Sequence, residues 1–331
     1  MHATTTRRTR AHRVAATVAA AALALTLAAC GDDNSSTESK PNATTSASAD
    51  PSADPSAAPT AAATASAEDI AALESVKVEG KPGTQPTITL PEKPFTVSAN
   101  VARVVDEGSG DAIADGDLIE LGLTAVDGSD GKILGSTHDG EATGTWTVGS
   151  ALPVLDDLLT TVKFGAQILM ALPQDTTTVY VVEPLRVIPL RAEGKAVAPK
   201  DGLPTVKLGE DGAPTITPAK GDAPTELVVQ PLIEGTGKTV EAGDNVLVQY
   251  SGVLWDGTAF DSSWGEGRTP FTVANVGQAQ VIDGWNEGLV GQKVGSQVLL
   301  VVPPEKGYKD QQQGAIPPNS TLVFVVDILF A

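Results

Sequence analysis

Aromatic side chains are the clearest candidates for chemistry in this 331-residue chain, because they are scarce and unevenly placed. They make up only 4% of all residues. Most lie in one region, at Tyr250, Trp255, Phe260, Trp264, Phe271, Trp285, Tyr308, Phe324 and Phe330. Such a set can line an apolar pocket or fill the core of a small domain. For any single aromatic residue taken alone, core packing is the stronger interpretation.

Nucleophilic and metal-based chemistry has little support in the composition. Cys30 is the single cysteine, and the histidines are His2, His12 and His138. One cysteine excludes an internal disulfide and a cysteine-based zinc cluster. Two of the three histidines fall within residues 1–30, which are predicted below to be a signal peptide. This disfavours a histidine triad or a histidine-based metal centre.

Several short segments of the aromatic region follow one another in a fixed order. They are VQYSG at 248–252, DGTAFDSS at 256–263, VIDGW at 281–285, GAIPP at 314–318 and TLVF at 321–324. In this order and at these spacings they resemble the FKBP-type peptidyl-prolyl isomerases. The resemblance covers roughly the last hundred residues, the size of one compact domain.

The resemblance implies a pocket that accepts a proline ring. The implied catalytic residues are Tyr250, Phe260, Asp261, Trp285, Tyr308 and Phe324. The implied substrate-binding residues are Phe271, Val281, Ile282 and Ile316. Trp285 would be the floor, while the Ile282 N–H and the Tyr308 hydroxyl would donate hydrogen bonds to peptide carbonyls. For Asp261, a turn residue after the Asp-Gly at 256–257 is the alternative.

The implied reaction is rotation about an X–Pro amide. Its barrier of about 18–20 kcal/mol comes from resonance, so neither a nucleophile nor a cofactor nor a metal is expected. A dry apolar cavity favours the twisted amide, which has lost its charge separation, and fixed donors can hold the flanking carbonyls. The implied partners are proline-containing polypeptides and macrolide inhibitors.

Parts of the pocket loop differ from the family pattern. A glutamine tract, at 311–313, stands where histidine is often found, and Lys309 stands where glycine is common. The alternative to an enzyme is therefore a non-catalytic FKBP-like binding module, or a chaperone for proline-containing segments. A surface protein with incidental activity is a third interpretation.

The N-terminus predicts export and a lipid anchor. Residues 1–30 join an arginine-rich start to an apolar run, which is typical of a signal peptide. The run ends in LAAC followed by Gly31, which resembles a bacterial lipobox with Cys30 as the lipidated residue. An ordinary signal peptide with a stray cysteine is the alternative. We expect a chain anchored by this lipid on the extracytoplasmic face of the cell membrane.

Composition predicts a disordered tether and disfavours one class of partner. Residues 31–68 are mainly Ser, Thr, Ala, Pro and Asp and cannot bury enough surface to offset their ordering entropy. The formal net charge of −19 argues against nucleic-acid binding.

An internal repeat predicts two copies of one fold. The segment EGSG at 107–110 recurs as EGTG at 234–237, and VLD at 154–156 recurs as VID at 281–283, both 127 residues later. The segment PTIT at 86–89 recurs at 214–217. We call residues 69–190 the first copy and 204–331 the second copy, with 191–203 as a hinge.

Strand patterns dominate each copy. In the second copy, residues 245–250, 297–302 and 321–329 are rich in β-branched residues, and 281–289 has the spacing of a short helix. This predicts an α+β fold, with an antiparallel sheet around one short helix in each copy.

The pocket positions of the first copy are changed. The repeat aligns Tyr250, Phe260, Asp261, Phe271 and Trp285 with Leu123, Leu134, Gly135, Trp146 and Leu158 respectively. The long loop at 303–320 shrinks to a few residues after Pro173. We therefore expect only the second copy to act as an isomerase.

Overall fold

The computed structural model describes residues 64–139 and 143–331. The predicted signal peptide, Cys30 and the tether up to residue 63 lie outside the described residues. Within those two ranges, no helix is both long enough and apolar enough to cross a membrane.

The described residues of the first copy begin with a helix and continue mainly as strands. The helices are α1 (Ala67–Ser75) and α2 (Pro153–Leu159). The strands are β1 (Lys77–Glu79), β2 (Thr87–Thr89), β3 (Val101–Asp106), β4 (Leu118–Asp127), β5 (Ile133–Ser136), β6 (Gly144–Thr147), β7 (Gln167–Leu172) and β8 (Thr178–Val187). A 3₁₀ turn follows β5 at Thr137–Asp139.

The second copy and the segment before it repeat this pattern with a single α-helix, α3 (Asp283–Leu289). The strands are β9 (Lys195–Ala196), β10 (Thr205–Leu208), β11 (Pro214–Thr217), β12 (Val228–Glu234), β13 (Val246–Leu254), β14 (Ala259–Ser262), β15 (Phe271–Val273), β16 (Gln297–Val302) and β17 (Leu322–Phe330). A 3₁₀ turn follows β16 at Pro304–Lys306.

Two antiparallel sheets have the same strand order. The first runs β3-β7-β8-β4-β5, with β6 paired to β4. The second runs β12-β16-β17-β13-β14, with β15 paired to β13 and β9 added beyond β12. The predicted α+β class is confirmed, and so are the three strands predicted in the second copy. Because residues 65–331 form one contact unit, the division into domains stays a prediction.

The tether predicted at residues 31–68 was too long at its C-terminal end. Ala67 and Glu68 form the first turn of α1, so the ordered chain begins before residue 69. Ser66 Oγ accepts a hydrogen bond from the Asp69 N–H, and the Asp69 carboxylate accepts one from the Ser66 N–H. This capping box satisfies helix donors that composition alone does not reveal.

A hairpin covers the outer face of each sheet. Strands β1 and β2 pair with each other, as do β10 and β11. Val78 and Ile88 pack on the buried cluster of the first sheet, and Val206 and Ile216 pack on that of the second. The recurring PTIT segment supplies all of β11 and all of β2, so the hairpin is part of the repeat.

The segment predicted as a hinge is bound to the second sheet. The Ala192 N–H donates to Asp327 Oδ2 at 2.7 Å, and the Glu193 N–H donates to the Gly295 carbonyl at 3.0 Å. Strand β9 then pairs with β12. Asp327 is buried, and this burial raises its pKa. Residues 192–197 therefore act as an edge of the sheet rather than as a free connector.

Candidate functional site

An open cavity of about 410 Å³ lies on the inner side of the second sheet. All ten predicted site residues line it: Tyr250, Phe260, Asp261, Phe271, Val281, Ile282, Trp285, Tyr308, Ile316 and Phe324. The other lining residues, which the sequence analysis did not name as site residues, are Gln280, Gln313, Gly314 and Ala315. We call this cavity the cup.

The floor of the cup is the Trp285 indole, which is 3% exposed. It comes from the first turn of α3 and meets two aromatic rings edge-on. The ring centroids lie 5.2 Å from Tyr250 and 5.3 Å from Phe324. Edge-to-face contacts of this kind fix ring orientation beyond what burial alone does. The floor is therefore an oriented aromatic ring, whose buried Nε1–H has no hydrogen-bond partner within the described ranges.

The walls come from strands whose side chains alternate between faces. Tyr250 lies on β13 and Phe324 on the neighbouring β17, so both rings project from the same face of the sheet. Phe260 on β14 packs on Phe324 with a centroid distance of 5.5 Å. Phe271, on the short β15, is 42% exposed and forms the outer rim.

Two hydrogen-bond donors at the cup are available to a ligand. Among the described residues, the Ile282 N–H makes no hydrogen bond. Ile282 is the N-cap residue of α3, where backbone N–H groups lack partners within the helix. The Tyr308 hydroxyl has no hydrogen-bond partner within the described ranges either. Burial, followed by the nearby Asp261 charge, raises the pKa of Tyr308 and keeps its proton in place.

Asp261 is held at the edge of the cup by three neighbours. The Tyr250 hydroxyl donates a short hydrogen bond to Asp261 Oδ2, and the Ser262 N–H donates to Oδ1 at 2.8 Å. Arg268 Nη2 lies 3.7 Å from Oδ1. Burial, then the bond to Asp261 and its charge, raises the pKa of Tyr250. Tyr250 and Asp261 can thus orient each other without exchanging a proton.

The loop at 303–320, which we call the flap, closes one side of the cup. Lys306 Nζ lies 2.6 Å from Glu287 Oε1 on α3. Gln313 and Ile316 exchange backbone hydrogen bonds of 3.1 and 2.9 Å. These contacts hold the 5%-exposed Ile316 against the core and place Tyr308 beside the cup.

The lining residues include no histidine or cysteine. Within the described ranges, no group of three or more His, Cys, Asp or Glu residues is placed to hold a metal ion. What the cup offers is an apolar volume with a few fixed donors, which suits a conformational step better than bond cleavage.

The predicted alignment of the helices between the two copies was wrong. Leu159 and Leu289 are both fully buried at the ends of α2 and α3, so the helices are offset by 130 residues rather than 127. Leu155, not Leu158, therefore stands at the position of Trp285. The copy-to-copy match of VLD with VID was misleading because the first copy lacks three residues between β6 and its helix.

The predicted match of Phe271 with Trp146 was also wrong. Trp146 pairs with Ile119 in the same way that Val273 pairs with Val246, so Gly144 stands at the position of Phe271. The ladder pairing confirms the matches of Leu123 with Tyr250 and of Leu134 with Phe260.

The first copy uses its equivalent backbone donor internally. Leu152 is the N-cap residue of α2, as Ile282 is of α3, and its N–H donates to Asp156 Oδ2 at 3.0 Å. The other oxygen of Asp156 accepts from Trp146 Nε1 at 2.7 Å and from the Gly149 N–H at 3.0 Å. No donor at this position is left for a ligand.

Comparisons with known proteins point to one family. The sequence model described as "FKBP-type peptidyl-prolyl cis-trans isomerase" matches residues 236–329. FK506-binding protein 1 of Aspergillus oryzae is 39% identical over 107 residues, which are 30% of this chain and 91% of that protein. The FK506-binding protein of Neisseria meningitidis serogroup A is 43% identical over 104 residues, which are 31% of this chain and 94% of that protein.

A solved structure matches part of the chain. The crystal structure of FkpA from Escherichia coli is 37% identical, with 40% of this chain and 53% of that chain covered and a TM-score of 0.30.

Proposed function

The chain belongs to the family of FKBP-type peptidyl-prolyl cis-trans isomerases through residues 236–329, and we propose that it assists the folding of exported polypeptides at the cell surface. The observation that supports this best is the cup itself. It combines an aromatic floor with two donors that have no partner within the described ranges.

The proposed mechanism uses the cup to favour the twisted amide. A proline ring on the Trp285 indole places the X–Pro bond in an apolar volume, where loss of the amide's charge separation costs less than in water. The Ile282 N–H and the Tyr308 hydroxyl hold the flanking carbonyls while the bond rotates. Interactions that strengthen in the twisted state lower the barrier, whereas uniform binding does not.

The test is an isomerisation assay on the full chain with an X–Pro tetrapeptide, read by a protease that cleaves only the trans form. We expect acceleration over the uncatalysed rate in proportion to chain concentration. An unchanged rate at saturating chain concentration would refute the proposal.

Removing one donor has a modest expected effect. Tyr308→Phe keeps the ring but loses one neutral hydrogen bond, which is worth about 0.5–1.5 kcal/mol. We expect kcat/KM for an X–Pro peptide to fall about 3- to 10-fold without loss of thermal stability. Tyr180→Phe, in the first copy, is the matched control and should leave kcat/KM unchanged. Equal rates for Tyr308→Phe and the parent chain would remove this hydroxyl from the mechanism.

Membrane attachment is proposed to depend on a lipid on Cys30. Two acyl chains bury enough apolar surface for stable anchoring, which one chain does not. We expect the parent chain in the membrane fraction of expressing bacterial cells and Cys30→Ser in the soluble fraction. A parent chain recovered only in the soluble fraction would contradict the anchor.

We propose further that the first copy does not isomerise proline. The Leu152 N–H, which corresponds to the Ile282 N–H, donates its hydrogen bond to Asp156. Leu155 stands at the position where Trp285 forms the floor of the cup. The relatives are named as FK506-binding proteins, and we propose that the cup of the second copy also accepts macrolides of this kind, since its floor and walls are apolar rings.

A further inference from the structure

Two glycines in α3 allow this helix to pack directly on the sheet. A Cβ atom on Gly284 would lie 2.5 Å from Val302 Cγ1 and 2.7 Å from Cγ2. A Cβ atom on Gly288 would lie 2.7 Å from Leu300 Cδ2. Val302 and Leu300 are both fully buried on β16, so neither can turn aside into solvent. Only glycine fits between the helix and the strand at this separation.

Local helix stability does not explain these glycines. Glycine is among the weakest helix formers, and a seven-residue helix receives little support from its own backbone. Alanine at either position would improve helix propensity. The close approach to β16 is the feature that alanine would disturb.

The first copy provides a comparison within the same chain. With the helices aligned by their buried ends, Val154 and Leu158 stand where Gly284 and Gly288 stand in the second copy. The main strand contact of α2 is β3, whereas α3 packs against β16. Because β3 corresponds to β12 and β7 to β16, the helix with larger side chains lies over a different strand of its sheet.

The position of α3 determines two parts of the cup. Trp285 lies between the two glycines in α3, and Ile282 is the N-cap residue directly before the first residue of this helix. Any displacement of α3 from β16 therefore moves the indole floor and the free N–H together. The edge-on contacts of Trp285 with Tyr250 and Phe324 would change with it.

We propose that Gly284 and Gly288 are positioning residues for isomerisation, which set the height of the Trp285 floor and the direction of the Ile282 N–H. The proposal rests on the proposed function of the second copy. It also gives a physical reason for the different position of the helix in the first copy, where both positions carry larger side chains.

The primary test is Gly284→Ala in the full chain. We expect at least a tenfold loss of kcat/KM for an X–Pro peptide, although helix propensity alone predicts no loss. The NMR signals of the Trp285 indole N–H and the Ile282 amide should shift. Gly288→Ala should have a smaller effect, because Leu300 Cδ2 is at the end of a more flexible side chain. If Gly284→Ala does not fold, Gly288→Ala replaces it as the test variant.

A rescue variant separates positioning from general damage. Adding Val302→Ala to Gly284→Ala removes both Cγ atoms and leaves the added Cβ 3.2 Å from the position of Val302 Cβ. We expect this double variant to recover most of the lost kcat/KM. Gly144→Ala on β6 is the control, because an added Cβ there has no atom of the described residues within 4 Å; it should match the parent chain.

The outcomes are distinguishable. Parent-like kcat/KM and unshifted signals in both glycine variants would overturn the proposal. So would a drop in melting temperature with kcat/KM intact, or the absence of rescue by Val302→Ala. A parent chain without isomerase activity would instead refute the proposed function, and the NMR signals would then still decide whether the glycines position Trp285.

Discussion

Trp285→Leu is expected to lower kcat/KM for an X–Pro peptide about 100-fold, or ~2.7 kcal/mol in transition-state stabilisation. The indole is buried and contacts the rings of Tyr250 and Phe324. A leucine leaves part of the floor unfilled, so water can enter the cup and stabilise the planar, charge-separated amide. Leucine is the suitable replacement because Leu155 holds this position in the folded first copy.

The control for this variant is Trp255→Leu. Trp255 packs with the cluster on the outer face of the second sheet and donates a hydrogen bond to the Gly221 carbonyl at 3.0 Å. We expect it to affect melting temperature but not kcat/KM. A Trp285→Leu chain with nearly parent activity would show either that Trp285 is not the floor or that the first copy is active.

Exchanging the flap is expected to bring the rate close to the uncatalysed one. Replacing residues 304–320 with the Gln-Asp-Thr found at 174–176 removes Tyr308 and Ile316 and opens the cup to water. We expect a loss of at least 100-fold in kcat/KM. The sheet should remain folded, because the first copy joins β7 to β8 through this short loop.

The flap exchange is read by the protease-coupled assay together with far-UV circular dichroism. Gln311→Ala combined with Gln312→Ala is the control, since both side chains are exposed in the flap and neither lines the cup. We expect it to retain parent activity. A folded exchange variant with parent kcat/KM would mean that the flap is dispensable and that the mechanism given to Tyr308 is wrong.

The sequence was sufficient to predict ten of the residues that line the cup. They were identified through the resemblance of short segments to the FKBP-type isomerases, and side-chain alternation on β13 and β17 brings Tyr250 and Phe324 to one face. Strand positions were predictable because runs of β-branched residues report burial directly. Arg268 was missed as a neighbour of Asp261, since its loop has no periodic pattern.

The register of the helices could not be obtained from short matches. Asp156 and Asn286 are the equivalent residues, because each accepts hydrogen bonds from the glycine and alanine of the preceding loop. That equivalence is visible only in the contacts. A useful signal was nevertheless present: Gln167 and Gln297 begin their strands 130 residues apart.

The binding of the connector to the second sheet was also beyond sequence reasoning. Strand β9 has only two residues, Lys195 and Ala196, so it carries no alternation to read. Its position depends on the buried carboxylate of Asp327, which accepts the Ala192 N–H across 135 residues of sequence. Long-range contacts with a single side chain leave no local pattern.

The central claim is that the cup of the second copy seats a proline ring on Trp285. The most direct measurement is an NMR titration of the full chain with a short X–Pro peptide. We predict saturable shifts that are largest at the Trp285 indole N–H and the Ile282 amide. Saturable shifts confined to a surface remote from Trp285 would contradict the claim.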